Sequence, residues 1–150
     1  MIVDSIKNII ISIFVGFLIT LASLFLESSF IFDFIKTHLI MLLIALLAIN
    51  TTTMSIVMTK LKEIYDIHKV DFSNTINQMK FSISEQIFLI VAGVLLQMVY
   101  ASKLLCMEHV FWQMAIPSLL IGILVDAVWI LRDTASSIFI IIEYENEANQ

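Results

Sequence analysis

The sequence predicts an all-α fold: a bundle of four transmembrane helices, with spans two and three extended into a cytoplasmic helical hairpin. Three observations carry this. Hydrophobic residues make up 60% of the 150 and charged residues 14%, against roughly 45–50% and about 25% in an ordinary soluble domain. The charges gather in clusters between long apolar runs instead of alternating along amphipathic faces. Each run is close to the ~20 residues that cross a ~30 Å hydrocarbon core.

The first run, 8–26, lies between Lys7 and Glu27. It exceeds the ~7–15-residue core of a secretion signal and lacks a clear A-x-A site, so it reads as an uncleaved anchor. The second, 39–59, lies between His38 and Lys60, and the third, 86–102, between Glu85 and Lys103. The fourth covers about 110–131 and is interrupted by Asp126. Its Trp112 and Trp129 stand ~25 Å apart on a helical rise, the spacing of interfacial anchors.

Segment 60–85 contains neither Gly nor Pro, and Leu61, Ile64 and Tyr65, then Phe72, Ile76, Met79 and Ile83, keep helical spacing. A hairpin reaching ~15 Å beyond the bilayer is expected, with Asp71 or Ser73 capping the returning helix. In the tail, 132–150, the Ile-rich part of 133–144 can continue the fourth helix, lie in the interface or pack on the hairpin. The polar end is expected to fray. The chain reads as a single integral membrane domain, 1–150.

Orientation follows from the basic residues: Lys7, Lys60, Lys62, Lys69, Lys80 and Arg132 on one side against Lys36 and Lys103 on the other. Both termini are therefore expected to be cytoplasmic. The outer segments, about 28–38 and 103–109, are too short for a folded external domain.

The net charge of −5, with Glu143, Glu145 and Glu147 in the tail and no basic stripe, argues against nucleic-acid partners. Cys106 is the sole cysteine, so one subunit forms no disulfide; it is a small apolar filler or an intersubunit or redox group. His38, His68 and His109 are isolated, and no metal-ligand spacing, nucleophile elbow or phosphate loop occurs. No enzyme activity, cofactor or metal is expected.

Three groups of residues stand out. Small residues at helical spacing, Ser12, Gly16, Thr20 and Ser23 in span one and Ala45, Ala48, Thr52, Ser55 and Thr59 in span two, permit close helix approach. They suit packing within one subunit, an oligomer interface or a pore lining. Asn50, Thr52, Ser55, Gln97 and Asp126 are candidates for a polar seam or pore. Ser and Thr can bond back to their own helix, whereas Asn50 needs a neighbour, water or ion, and an acid within a span is costly unless accommodated. Gly122, Asp126, Trp129, Asp133 and Ser137 share one helix face, which aims Asp126 inward, together with Gln97. Lys62, Tyr65, His68 and Lys69 are candidates for docking a soluble cytoplasmic effector protein.

The second span, His38-Leu-Ile-Met-Leu-Leu-Ile-Ala-Leu-Leu-Ala-Ile49, the charged helical loop and the last span with Ala115-Ile-Pro-Ser-Leu-Leu-Ile-Gly-Ile123 resemble the RexB type of small four-span phage-exclusion proteins. The four-span membrane subunit KwaA of the Kiwa antiphage system is similar in size and topology. The chain differs from the RexB type in its acidic tail and its less basic inner loop. The resemblance implies a homo-oligomeric component of an antiphage defence system in the bacterial inner membrane. Such a component would sense membrane perturbation or a cytoplasmic partner and act as a channel or scaffold. The alternative is a small ion or solute transporter or channel unrelated to defence.

Overall fold

A helix in hydrocarbon closes its backbone hydrogen bonds within itself, and this chain is helical almost throughout. A computed structural model describes residues 2–69, 71–102 and 110–148, with the side chains of 2–6, 68, 110, 111, 113 and 137–148 left aside. Among the described residues the fold is all-α, with helices α1 (Ile2–Phe25), α2 (Phe30–His68), α3 (Ser73–Ala101) and α4 (Val110–Ala148). Each is long and apolar enough to cross a membrane. The outer segment 103–109, with Cys106 and His109, lies outside the described residues.

The exterior is greasy. Ile10, Phe14, Met41, Phe88, Leu95 and Met98 each leave more than half of their surface uncovered. Soluble monomers rarely expose apolar patches beyond a few hundred Å², so lipid is the solvent these faces fit. Half of the apolar stretch of α4 is buried, against 17–22% in the other helices. α4 is the hub, packed against α1, α2 and α3, while α2 and α3 pack on each other. The core is built from Leu39 and Leu43 of α2, Leu89 of α3, and Ile116, Leu120 and Ile121 of α4.

Register follows from facing residues. Ser12 faces Asp126, Gly16 faces Gly122, and Thr20 faces Ser118, so α1 and α4 are antiparallel. A Cβ on Gly16 would collide with the Ser118 carbonyl oxygen and lie 2.8 Å from the Gly122 nitrogen, while one on Gly122 would meet Ser12 O and Ile13 Cα at 3.3 Å. Glycine at 16 thus permits backbone-to-backbone contact. α2 and α3 form a second antiparallel pair, in which Asn50 faces Gln86 and Gly93 receives the Leu43 side chain.

The two helix connections in the described chain are short. After α1, Glu27 takes a left-handed conformation (φ 50°) while the Ser28 N–H bonds the Ser23 carbonyl at 3.0 Å, a helix stop that more often uses glycine. The expected outer segment 28–38 is instead mostly helix. Phe30, Ile31, Phe34 and Ile35 carry the helical spacing outward, Phe30 stacks on Phe34, and Asp33 sits at the positive helix start. At the other end, Lys69 (φ 55°) stops α2 by donating its N–H to the Tyr65 carbonyl. Asp71 then accepts the Ser73 N–H at 2.9 Å and its hydroxyl at 3.0 Å, but the N-cap is Phe72, without a side-chain cap bond, in place of the expected Asp71 or Ser73. α4 continues through 133–144 to Ala148, the first of the three courses open to that segment.

Two outcomes test this packing. Gly16→Leu should lower unfolding stability in detergent by about 1–3 kcal/mol, the usual cost of overpacking, and Gly122→Ala by distinctly less. Equal losses would refute the close approach at Gly16. The Ser73 N–H and then its hydroxyl hold the Asp71 carboxyl below its ordinary range. Their contribution is complete above the unfolded value and fades as pH falls through the lower folded value. Asp71→Asn should therefore lower stability slightly at neutral pH, where that contribution is whole, and flatten the acid limb of a pH–stability curve below about pH 4, where it has been lost.

Candidate functional site

Polar side chains inside an apolar bundle need partners, and here the buried carboxylate and amides find them near one level. Asp126 is 95% buried, with 5% of its surface exposed, and accepts a hydrogen bond from the Ser12 hydroxyl at 3.3 Å. On the other helix pair, the Asn50 amide donates to Gln86 Oε1 at 2.9 Å, and both residues are fully enclosed. Asn50 Oδ1 and Gln86 Nε2 have no further partner. Those two atoms are an acceptor and a donor, so a small rotation or one bridging water satisfies both.

Glu85, next to Gln86, lines a cleft of about 110 Å³ with Asp126, Asn8, Ser82, Trp129 and Asp133. Ser82 and Asp133 also line an adjoining cleft of about 160 Å³ that reaches Met54 and Thr75. The polar level thus opens toward the end of the bundle where α1 begins and α2 turns into α3. In the opposite direction, Leu43, Leu89 and Leu120 fill the axis. At the cleft mouth, the Arg132 guanidinium lies 5.0 Å from the centre of the Trp129 ring, a cation–π contact suited to an interface.

Asn50 and Asp126 sit at this level, as the seam reading requires, but its other members do not join them. Thr52 and Ser55 lie on an exposed face, and the Thr52 hydroxyl bonds back to the Ala48 carbonyl at 2.9 Å. Gln97 is three turns further along α3 than Gln86 and donates to the carbonyls of Ile35 and Lys36 at 3.2 and 2.9 Å. It ties α3 to the start of α2, so the expected convergence of Gln97 with Asp126 does not form. The inward face of α4 holds in part: Gly122 and Asp126 are buried and Trp129 half-buried, whereas Asp133 is exposed and the Ser137 side chain lies outside the described residues.

The small residues divide between two roles. Ser12, Gly16 and Thr20 are buried against α4, where the Ser118 hydroxyl donates to Thr20 Oγ1 at 3.0 Å and has the Met114 carbonyl as its other acceptor. Ala45 and Ala48 face outward. Of the docking candidates, Lys62 and Tyr65 are exposed, and Lys69 stands 5.5 Å over the Tyr65 ring. The His68 side chain lies outside the described residues.

Gln86, Ser118 and Glu85 were not among the sequence candidates. Chemically, the level offers a carboxylate reached through a narrow cleft and an internal amide pair. It can hold a proton or attract a cation, but among the described residues no cluster of three metal-ligating side chains forms. No known protein family, curated protein or solved structure matches the chain.

The amide pair is open to a double-mutant cycle. Asn50→Leu and Gln86→Leu should each destabilise the bundle in detergent, and the double variant less than their sum. The expected coupling is about 0.6–1.7 kcal/mol, the range for hydrogen bonds between membrane helices. Strict additivity would show that the pair does not form.

Proposed function

We propose that this chain is a non-enzymatic sensor and scaffold of the bacterial inner membrane, acting as a homo-oligomer in antiphage defence. The observation that carries the sensor reading is the buried Asp126 at the blind end of a polar cleft, backed by an apolar plug. Among the described residues a single subunit offers no continuous polar path, which supports a response at one end over conduction through its own axis. The defence setting rests on the sequence resemblance alone.

The majority of Lys and Arg residues stand at the end bearing the termini and the α2–α3 turn, which supports a cytoplasmic location for that end. α2, at 39 residues, is ~58 Å long and outreaches a ~30 Å core. Its surplus supports a helical hairpin standing in the cytoplasm, where the turn bearing His68 and Lys69 would meet an effector protein. The outward face of α2 at Ala45, Ala48 and Thr52 suits contact between copies, because small residues let helices approach in lipid.

The cleft also favours a second reading, an ion or solute channel or transporter unrelated to defence, in which Asp126 attracts the cation. In phage-challenged cells, Asp126→Ala should abolish protection while membrane insertion persists; full protection would remove Asp126 from the mechanism. Reconstituted protein should be silent in single-channel recording, and steady conductance lost in Asp126→Ala would replace the scaffold with the channel.

A further inference from the structure

Near the α2–α3 connection, the two helices enclose a groove of about 560 Å³, within the roughly 300–1,000 Å³ typical of small-molecule sites. The groove starts at Ser55, just before Lys60, the first charge after the apolar run of α2, and ends at Ser73. Its walls change character along that path. Met58, Leu61 and Ile76 line the apolar part, and Lys62, Tyr65 and Asp71 the polar part. Ser55 to Tyr65 covers ~15 Å of helix, enough to pass from the hydrocarbon edge into the headgroup zone.

We infer that this groove holds one phospholipid with a zwitterionic, amine-bearing headgroup, drawn from the adjoining leaflet. The order of groups along the groove matches such a lipid: an acyl chain against Met58, Leu61 and Ile76, phosphate at the Lys62 ammonium, and the lipid amine at the Asp71 carboxylate. Lys60 is paired with Glu63 at 2.8 Å, which leaves Lys62 as the cation lining the groove. Asp71 gives one acceptor position to the Ser73 N–H and another to its hydroxyl. A carboxylate offers about four such positions, so it can still receive an ammonium group. Those bonds also keep the Asp71 carboxyl ionised. Lys69 over the Tyr65 ring steadies the aromatic wall. An anionic headgroup without an amine would meet Asp71 as a like charge, so the groove selects by the amine.

This inference rests on the bilayer placement of the helices and is independent of any role in defence. The test places the full chain in nanodiscs of equal phosphatidylethanolamine and phosphatidylglycerol and counts the lipids retained on release by native mass spectrometry. The wild type should keep one phosphatidylethanolamine per chain in preference to phosphatidylglycerol. Asp71→Asn keeps a side-chain carbonyl oxygen to accept the Ser73 N–H and should reduce that preference roughly two- to fivefold, the value of one exposed ion pair. Lys62→Gln should weaken retention of both lipids. An unselective wild type, or an unchanged preference in Asp71→Asn, overturns the inference. Disulfide-linked dimers of Met58→Cys would put a second copy in the groove and overturn it equally. Release of the chain by alkaline carbonate would instead refute the bilayer placement, and the inference with it.

Discussion

Between helices in lipid there is no hydrophobic force to speak of, because a leucine on a neighbour is no more welcoming than an acyl chain. The bundle therefore depends on the backbone contact of Gly16 with Gly122, which brings α1 close enough for its hydroxyls to reach α4. Ser12 then meets Asp126, and Thr20 meets Ser118, one turn to either side of that crossing. Dispersion contacts are individually small and become large only through many atoms at short range. A single methyl group at position 16 would hold the helices apart and weaken all of them together.

The same constraint explains why polar residues collect at one level. A carboxylate and two amides dispersed through hydrocarbon would each need a separate accommodation. Gathered near the end of the bundle, Asp126 borrows a hydroxyl from α1 and access to water from the cleft, while Asn50 and Gln86 satisfy much of each other's need. Beyond that level the core is mainly aliphatic, with the Thr20–Ser118 hydroxyl pair as a polar contact within it. The charged and amide side chains are thereby separated along the bundle axis from most of the apolar packing.

Helix number was legible because composition and run length report directly on the surrounding solvent. The α1 seam at 12, 16 and 20 was visible as spacing, but the sequence could not say that α4 supplies its partner. Gln86 escaped notice although a signal existed: an antiparallel hairpin turning near residue 68 sets 50 opposite 86. Gln97 misled because polarity within a span reveals a need for hydrogen bonds without revealing where they lie, and here backbone carbonyls of α2 supply them. The segment 28–38 was placed outside the second span because His38 was read as that span's boundary, whereas the helix continues back to Phe30 on the spacing of its apolar side chains.

The attachment of α1 chiefly to α4 has a bearing on biogenesis. Translation delivers α1 first and its main companion last, with the α2–α3 pair arriving in between and able to zip up by itself. The leading helix must wait in the bilayer as a lone rod, its glycine notch open to lipid, until the final segment emerges. A chain cut short before α4 would leave α1 adrift, whereas α2 and α3 would still find each other.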